Sequence, residues 1–481
     1  MNKCLFLLLL IMTISCSKDN VSEKTVTLEK VEFAVETGAS KLPYFMVHVD
    51  EVIENEPKVA GNLKVYLNKS EAHETPIGIE YRGSTSYRMS DKKSYGIETW
   101  DPTGADAAYA LLDFPIEEDY ILMGDVFRAS EGTIFDPSLM HHYLGYEFYR
   151  KMGRYAARSE YIDLEINGSY MGTYIFMEKL KRDKNRIDIK KLEPTDTSEE
   201  AISGGYILKI DKTAGGDVAG IQPLAYYDNN WGDDAKYSEQ ISFRSQYDIF
   251  KGPLNFPAYG EPYHPQMYLE TYFLYEYPKA ADITEAQKEY IQGYIHSFET
   301  ALITDDFETD VRTYTDFIDL ESFVDFFIIN EITGNVDGYR LSTYLNKDRG
   351  EKLKMGPIWD LNIGYNKQGR VPFNDWIANY NTHVQQDAWM VPFWWPRLLE
   401  DPIFKTALKN RWQQLRAGTL NNAQVLGLVD NTSKYLQDNG AIDRNYQRWV
   451  GIPVDYPGVV SELRSYLETR LAWMDQTIGG F

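Results

Sequence analysis

From Val31 to Trp100 the chain is strand-rich, with apolar and polar residues alternating at a period of two. The runs are Tyr44-Phe-Met-Val-His-Val, Leu63-Lys-Val-Tyr-Leu, Ile77-Gly-Ile-Glu-Tyr and Tyr95-Gly-Ile-Glu-Thr-Trp. Residues 138–152 switch to helical spacing, with Gly153 as the stop. A hairpin follows, Tyr161 to Ile166 and Tyr170 to Glu178 around Asn167-Gly168, a pair suited to the left-handed positions of a tight turn. Gly205 to Asp211 reads as another strand. From Thr284, which caps Glu-Ala-Gln, the pattern turns helical: a run to Leu302, another over Leu320–Ile332, then residues 397–417 and 460–478. One hairpin interrupts this half, with Leu341 to Asn346 and Lys352 to Asp360 flanking Lys347-Asp-Arg-Gly. The pattern predicts an α+β fold, β-rich over about 31–283 and mostly helical over about 284–481.

The first sixteen residues read as a targeting signal: Lys3, an apolar core from Leu5 to Ile14 too short to span a bilayer, then Ser15-Cys16. A Cys after a small residue there resembles a bacterial lipobox, which implies cleavage before Cys16 and its acylation. Ser17-Lys-Asp-Asn is similar to the acidic export signals of surface lipoproteins in some Gram-negative lineages. The expectation is a lipid-anchored protein of the outer membrane or cell surface, with residues 17–30 as tether and 31–481 as domain; the alternative is an ordinary secretory peptide. Cys4 lies inside the signal, so no thiol is left for disulfides or thiolate metal sites. A net charge of −23, from 49 basic and 72 acidic residues, argues against nucleic acid and anionic membrane surfaces as partners. The 36 Tyr and 10 Trp suit either a large mixed core or carbohydrate stacking, and the periodic placement of most of them favours the core.

Asp337 and Asp360 lie 23 residues apart, about the expected turn. In antiparallel register both emerge at the open end of the hairpin, their carboxylates within roughly 10 Å. A base and a metal-holding carboxylate at that separation suit phosphoryl transfer.

Seven segments in order carry a family resemblance: Tyr81-Arg-Gly-Ser-Thr-Ser, Lys92-Lys-Ser-Tyr-Gly-Ile, Asp136-Pro-Ser-Leu-Met, Asn167-Gly-Ser-Tyr-Met-Gly-Thr-Tyr-Ile-Phe-Met-Glu-Lys, Asn335-Val-Asp-Gly, Gly356-Pro-Ile-Trp-Asp-Leu-Asn and Trp394-Trp-Pro-Arg-Leu-Leu-Glu-Asp-Pro-Ile-Phe. Together they resemble the spore-coat protein H (CotH) kinase family from about residue 40 onward. The resemblance implies an atypical, bilobal protein-kinase-like fold and transfer of the ATP γ-phosphoryl group to Ser/Thr of a protein. It makes Asp337 the catalytic base and Asp360, with Asn362 beside it, the holder of Mg²⁺. Lys209 and Glu178 become the lysine–carboxylate pair at the phosphates, with Arg82 and Lys93 as further phosphate ligands. The chain departs from the family pattern at Ser342, where Asn is common, at Asn362, where a second carboxylate is common, and at His141-His142, where Arg-Asn is usual.

Plainer roles stand beside these. Asp337 before Gly338 suits an Asx turn, Asp360 a local cap, Glu178 and Lys209 a cross-strand pair, and Arg82 a brace for a loop. His141 and His142 point about 100° apart on a helix, which disfavours a shared zinc. No P-loop, dinucleotide fingerprint or Gly-x-Ser-x-Gly motif occurs. Trp376, Trp389, Trp394 and Trp395 suit core packing or a sugar platform. Two functions remain: a Mg²⁺/ATP-dependent kinase, or a catalytically weak kinase-like surface module that binds glycan or protein. Nucleotidyl transfer would use the same carboxylates.

Overall fold

The computed structural model describes residues 42–481 apart from 69–70, 84, 214–236, 260–268, 366–368, 386 and 450–451. The signal, Cys16 and the tether lie outside the described residues. The architecture is mixed α/β, with twelve of fourteen strands before residue 284 and eight of eleven α-helices after it, among the described residues.

Seven strands close into a barrel in the order β1-β2-β3-β4-β5-β9-β8. They are β1 (Tyr44–Val49), β2 (Val59–Leu67), β3 (Glu71–Arg82), β4 (Ser94–Thr99), β5 (Asp119–Met123), β8 (Ser159–Ile166) and β9 (Ser169–Glu178), with β6 (Phe127–Arg128) and β7 (Thr133–Ile134) forming a separate ribbon. Closure comes from β1, which pairs antiparallel with β2 and parallel with β8. The period-two alternation turns Phe45, Val47, Leu63, Val65, Ile77, Ile79, Leu122 and Phe176 inward, filling a barrel of this size with side chains. Asn167 and Gly168 hold φ of 48° and 76° at the β8–β9 turn, the two left-handed positions that Asn-Gly supplies.

The second sheet runs β11-β12-β10-β13-β14, from β10 (Tyr206–Ile210), β11 (Ser242–Arg244), β12 (Tyr272–Tyr277), β13 (Thr343–Lys347) and β14 (Lys354–Met355). Strands from before and after residue 284 therefore share one sheet. Helix Leu320–Thr333 lies beneath it, buried at every position from Ser322 to Thr333. Phe326 and Phe327 stack on Trp395, with ring centroids 5.8 and 6.3 Å away. The expected helix over 397–417 is two helices, Trp394–Glu400 and Pro402–Ala417, divided where Asp401 caps the second and Pro402 begins it. Strands β5, β11 and β12 and helices Asn422–Asp438 and Ala441–Arg448 are additions to the sequence pattern.

Helix Ala441–Arg448 joins the barrel to the helical part. Its Asn445 Oδ1 accepts from Lys92 Nζ at 3.1 Å, and its Arg444 pairs with Asp163 at 2.5 Å. Lys92 is fully buried, 3.2 Å from Asp125. No helix among the described residues is long and apolar enough to cross a membrane.

Candidate active site

Helix Leu320–Thr333 ends at Gly334, whose φ of 54° swings the chain out of the helix toward Asn335 and Asp337. A Cβ at Gly338 would lie 2.0 Å from Asn330 Oδ1, so only glycine fits after Asp337. The Asp337 carbonyl accepts from the N–H groups of Arg340, 3.2 Å, and Leu341, 2.9 Å, closing a tight turn. Its carboxylate, about a fifth exposed, takes Arg340 Nη2 at 2.5 Å. Arg340 is itself buried, donating to Val336 O and Trp389 O and lying over the Tyr380 ring.

The hairpin register corrects the symmetric expectation. Leu345 faces Met355 and Asn346 faces Lys354, which centres the turn at Gly350 and would set Arg340, not Asp337, opposite Asp360. Strand β14 is only two residues long, so the ladder does not reach the aspartates. Asn335 joins them instead. Its Nδ2 donates to Asp360 O at 3.3 Å, and its Oδ1 accepts the Asp337 N–H at 3.3 Å.

Asp360 sits at φ 52°, a left-handed conformation that costs a non-glycine residue energy. Asn362 Nδ2 donates to its Oδ1 at 2.6 Å, and His142 Nε2 is 3.7 Å from the same oxygen. Burial raises this carboxyl, but the His142 imidazole, the Asn362 N–H and the Arg82 charge outweigh it and hold it below its ordinary value. His142 projects from helix His141–Lys151, and Trp359 carries Arg82 over its ring at 5.6 Å.

Strand β10 supplies the other charges. Lys209 and Asp211 share one face at period two, and Lys209 Nζ lies 3.8 Å from Asp211 and 3.6 Å from Glu276 of β12. Ser342 Oγ donates to Asp211 Oδ2 at 3.4 Å. Burial raises the Asp211 carboxyl, with Lys209 and Lys212 opposing. The charges of Lys209, Glu276, Asp211 and Arg82 all act on the buried Tyr344 phenol, and Arg82 acts on Asp360 as well, so these groups are neighbours.

Two sequence expectations are corrected. Glu178 is not the partner of Lys209: it lies in the barrel, taking Arg158 Nη1 at 2.6 Å and Tyr155 OH at 3.0 Å, whereas Lys209 lies in the other sheet. Lys93 is engaged by Tyr87: its Nζ donates to Tyr87 O and sits 4.8 Å from the Tyr87 ring. Arg82 makes no hydrogen bond or ion pair to the described residues, and its guanidinium lies over the Trp359 ring. Of the four tryptophans, Trp376, Trp394 and Trp395 are buried in the core, leaving Trp389 half-buried beside the Asp337 turn. Sequence reasoning missed Asp211, Glu276, Asn335 and Arg340 as site members. The period-two spacing of Lys209 and Asp211 was a usable signal; Glu276 had none, because its strand was unrecognised.

A family model described as CotH kinase protein matches residues 79–474. The chain belongs to the CotH kinase family. The match runs from within β3 into the last helix and so contains every charged group just described. Membership implies ATP-dependent phosphotransfer, usually with a divalent metal. No curated protein matches the chain. The residues fit both ligands of a CotH kinase: Asp360 Oδ2 and both ring nitrogens of the buried His142 lack hydrogen-bond partners among the described residues, and Arg82 has no ion pair among them. Asp360, steadied by the Asn362 amide that donates to it, would hold the cation; Arg82 and Lys209 would meet phosphate oxygens.

Proposed function

We propose that this protein is a kinase that transfers the ATP γ-phosphoryl group to a Ser or Thr hydroxyl of a protein, on a bilobal kinase-like frame. The barrel and the helical part would be the lobes. The observation that carries the reading is Asn335, which fixes Asp337 and Asp360 to one another through its two amide atoms. Bound there, Mg²⁺ and ATP supply a γ-phosphorus whose oxygens are charge-neutralised.

The chain's own residues then have distinct tasks. Asp337 accepts the proton of the attacking hydroxyl, oriented by Arg340. The hydroxyl oxygen bonds to the γ-phosphorus as the bond to the ADP oxygen breaks, and the proton leaves Asp337 for solvent. Lys209, steadied by Glu276, and Arg82 above Trp359 take up the phosphate charge that develops. Asp211 beside Ser342 supplies a carboxylate where the family's Asn is missing. The apolar leader and Cys16 support a lipid-anchored location at the outer membrane or cell surface.

One observation favours the second reading, a catalytically weak module that captures protein or glycan. Arg340 occupies the Asp337 carboxylate, and the half-buried Trp389, with Lys212 5.3 Å from its ring, offers an aromatic wall beside it. A thermal-shift titration with Mg²⁺ and ATP, run beside Asp360→Asn, decides between them. Saturation at 100 times the dissociation constant adds about 2.7 kcal/mol. Stabilisation of the parent that the variant loses supports the kinase. A flat response in both, with stabilisation by a glycan, supports the module.

A further inference from the structure

His142 sets a buried imidazole beside Asp360, where the family resemblance implies Asn. His142 is 1% exposed, yet neither ring nitrogen has a hydrogen-bond partner among the described residues. Leaving two such groups unsatisfied in the interior is costly, so a buried imidazole in this state calls for an explanation. Its Nε2 is 3.7 Å from Asp360 Oδ1, too long for a hydrogen bond. It is the right length for a shared ion. Two donors each about 2.1 Å from one cation lie about 3.0 Å apart at right angles and about 4.2 Å apart when opposed. Asp360 is more than a third exposed and His142 is buried beside it, so the carboxylate is open to an ion from solvent and the imidazole is within reach of the same ion.

We propose that His142 is a ligand of the cation held by Asp360, and that it turns the site's preference from Mg²⁺ toward a divalent transition ion such as Mn²⁺. This rests on the kinase reading for the position of the cation and goes beyond it in the identity of the ion. Mg²⁺ favours an all-oxygen octahedron, whereas imidazole suits transition ions. His141 takes no part: its Nε2 faces Asp136 at 3.5 Å and its ring packs on Tyr365. The competing account is an imidazolium paired with Asp360, with Asp125 on the other side already engaged by Lys92.

The test measures binding of Mn²⁺ to the full chain by loss of the free-ion electron paramagnetic resonance signal, with Mg²⁺ as competitor and no nucleotide present. Parent, His142→Asn, His142→Gln and Asp360→Asn are compared, each checked for an unchanged melting temperature without metal. His142→Asn installs the residue that the family resemblance implies at this position. The expected result is a loss of Mn²⁺ affinity of about tenfold or more in His142→Asn, the scale of even an outer-sphere partner, with Mg²⁺ affinity retained. Asp360→Asn should lose both ions. Equal Mn²⁺ affinity in parent and both His142 variants would overturn the proposal and leave the ion pair. Loss of both ions to the same degree on changing His142 would also overturn it. Retention of both ions by Asp360→Asn would sink the cation position assumed by the kinase reading, a separate outcome.

Discussion

The Asn335 side chain donates to the carbonyl of Asp360 across 3.3 Å, although the two residues are 25 positions apart and lie beyond the reach of the short β13–β14 ladder. The other atom of the same amide holds the Asp337 N–H. Replacing Asn335 with Ala leaves buried polar groups unpaired, at a cost of about 1–3 kcal/mol. The expected outcome is a lower melting temperature and loss of the stabilisation given by Mg²⁺ and ATP. Retained nucleotide stabilisation would show that the two aspartates find their places without this bridge.

Arg82 and Lys93 separate by their surroundings. Arg82 lies above Trp359 without an ion pair among the described residues, whereas Lys93 is spent on Tyr87. Arg82→Ala should weaken ATP by about tenfold, or 1.4 kcal/mol, measured by isothermal titration. Lys93→Ala should leave nucleotide affinity within twofold, a range set by the same conversion. A larger effect at Lys93 than at Arg82 would contradict the assignment.

Beneath the site, Glu331 and Arg470 form a fully buried pair at 2.7 Å, and Glu331 also takes Tyr339 OH and the N–H groups of Ile377 and Ala378. Arg470→Met strands that carboxylate without its countercharge. Denaturant unfolding should show a loss of about 3–5 kcal/mol. The double variant Glu331→Gln with Arg470→Met should recover part of it.

Glu299 is buried against Ser245 and Trp394, and burial pushes its carboxyl up to about 7 from 4.5, the hydrogen bonds from those residues opposing. The folded state therefore keeps a proton that the unfolded state releases above pH 4.5. This stabilisation is complete below pH 4.5 and disappears as pH rises toward 7. Glu299→Gln should flatten stability across that window and leave the variant more stable than the parent at pH 8, by roughly 3 kcal/mol at most. A parallel pH dependence in both proteins would rule out Glu299 as its source.

The sequence by itself determined the elements whose cause is local. Alternating apolar residues specified β1 to β4, Asn167-Gly168 specified the β8–β9 turn, and Thr284 with Gln287 specified a capped helix start, because each depends on neighbours a few residues away. It also marked Asp337 and Asp360, since both stand in short motifs beside special backbone positions. Tertiary structure decided which charges meet. Glu178 and Lys209 stand on strands adjacent in the chain, yet one closes the barrel and the other lies in the second sheet. Glu276 reaches Lys209 only because β12 pairs with β10, and no local pattern encodes a pairing across more than sixty residues. The orphaned His142 follows from the same cause: a helix periodicity can bury an imidazole, but only the packing of that helix against the Asp360 loop decides what its nitrogens face.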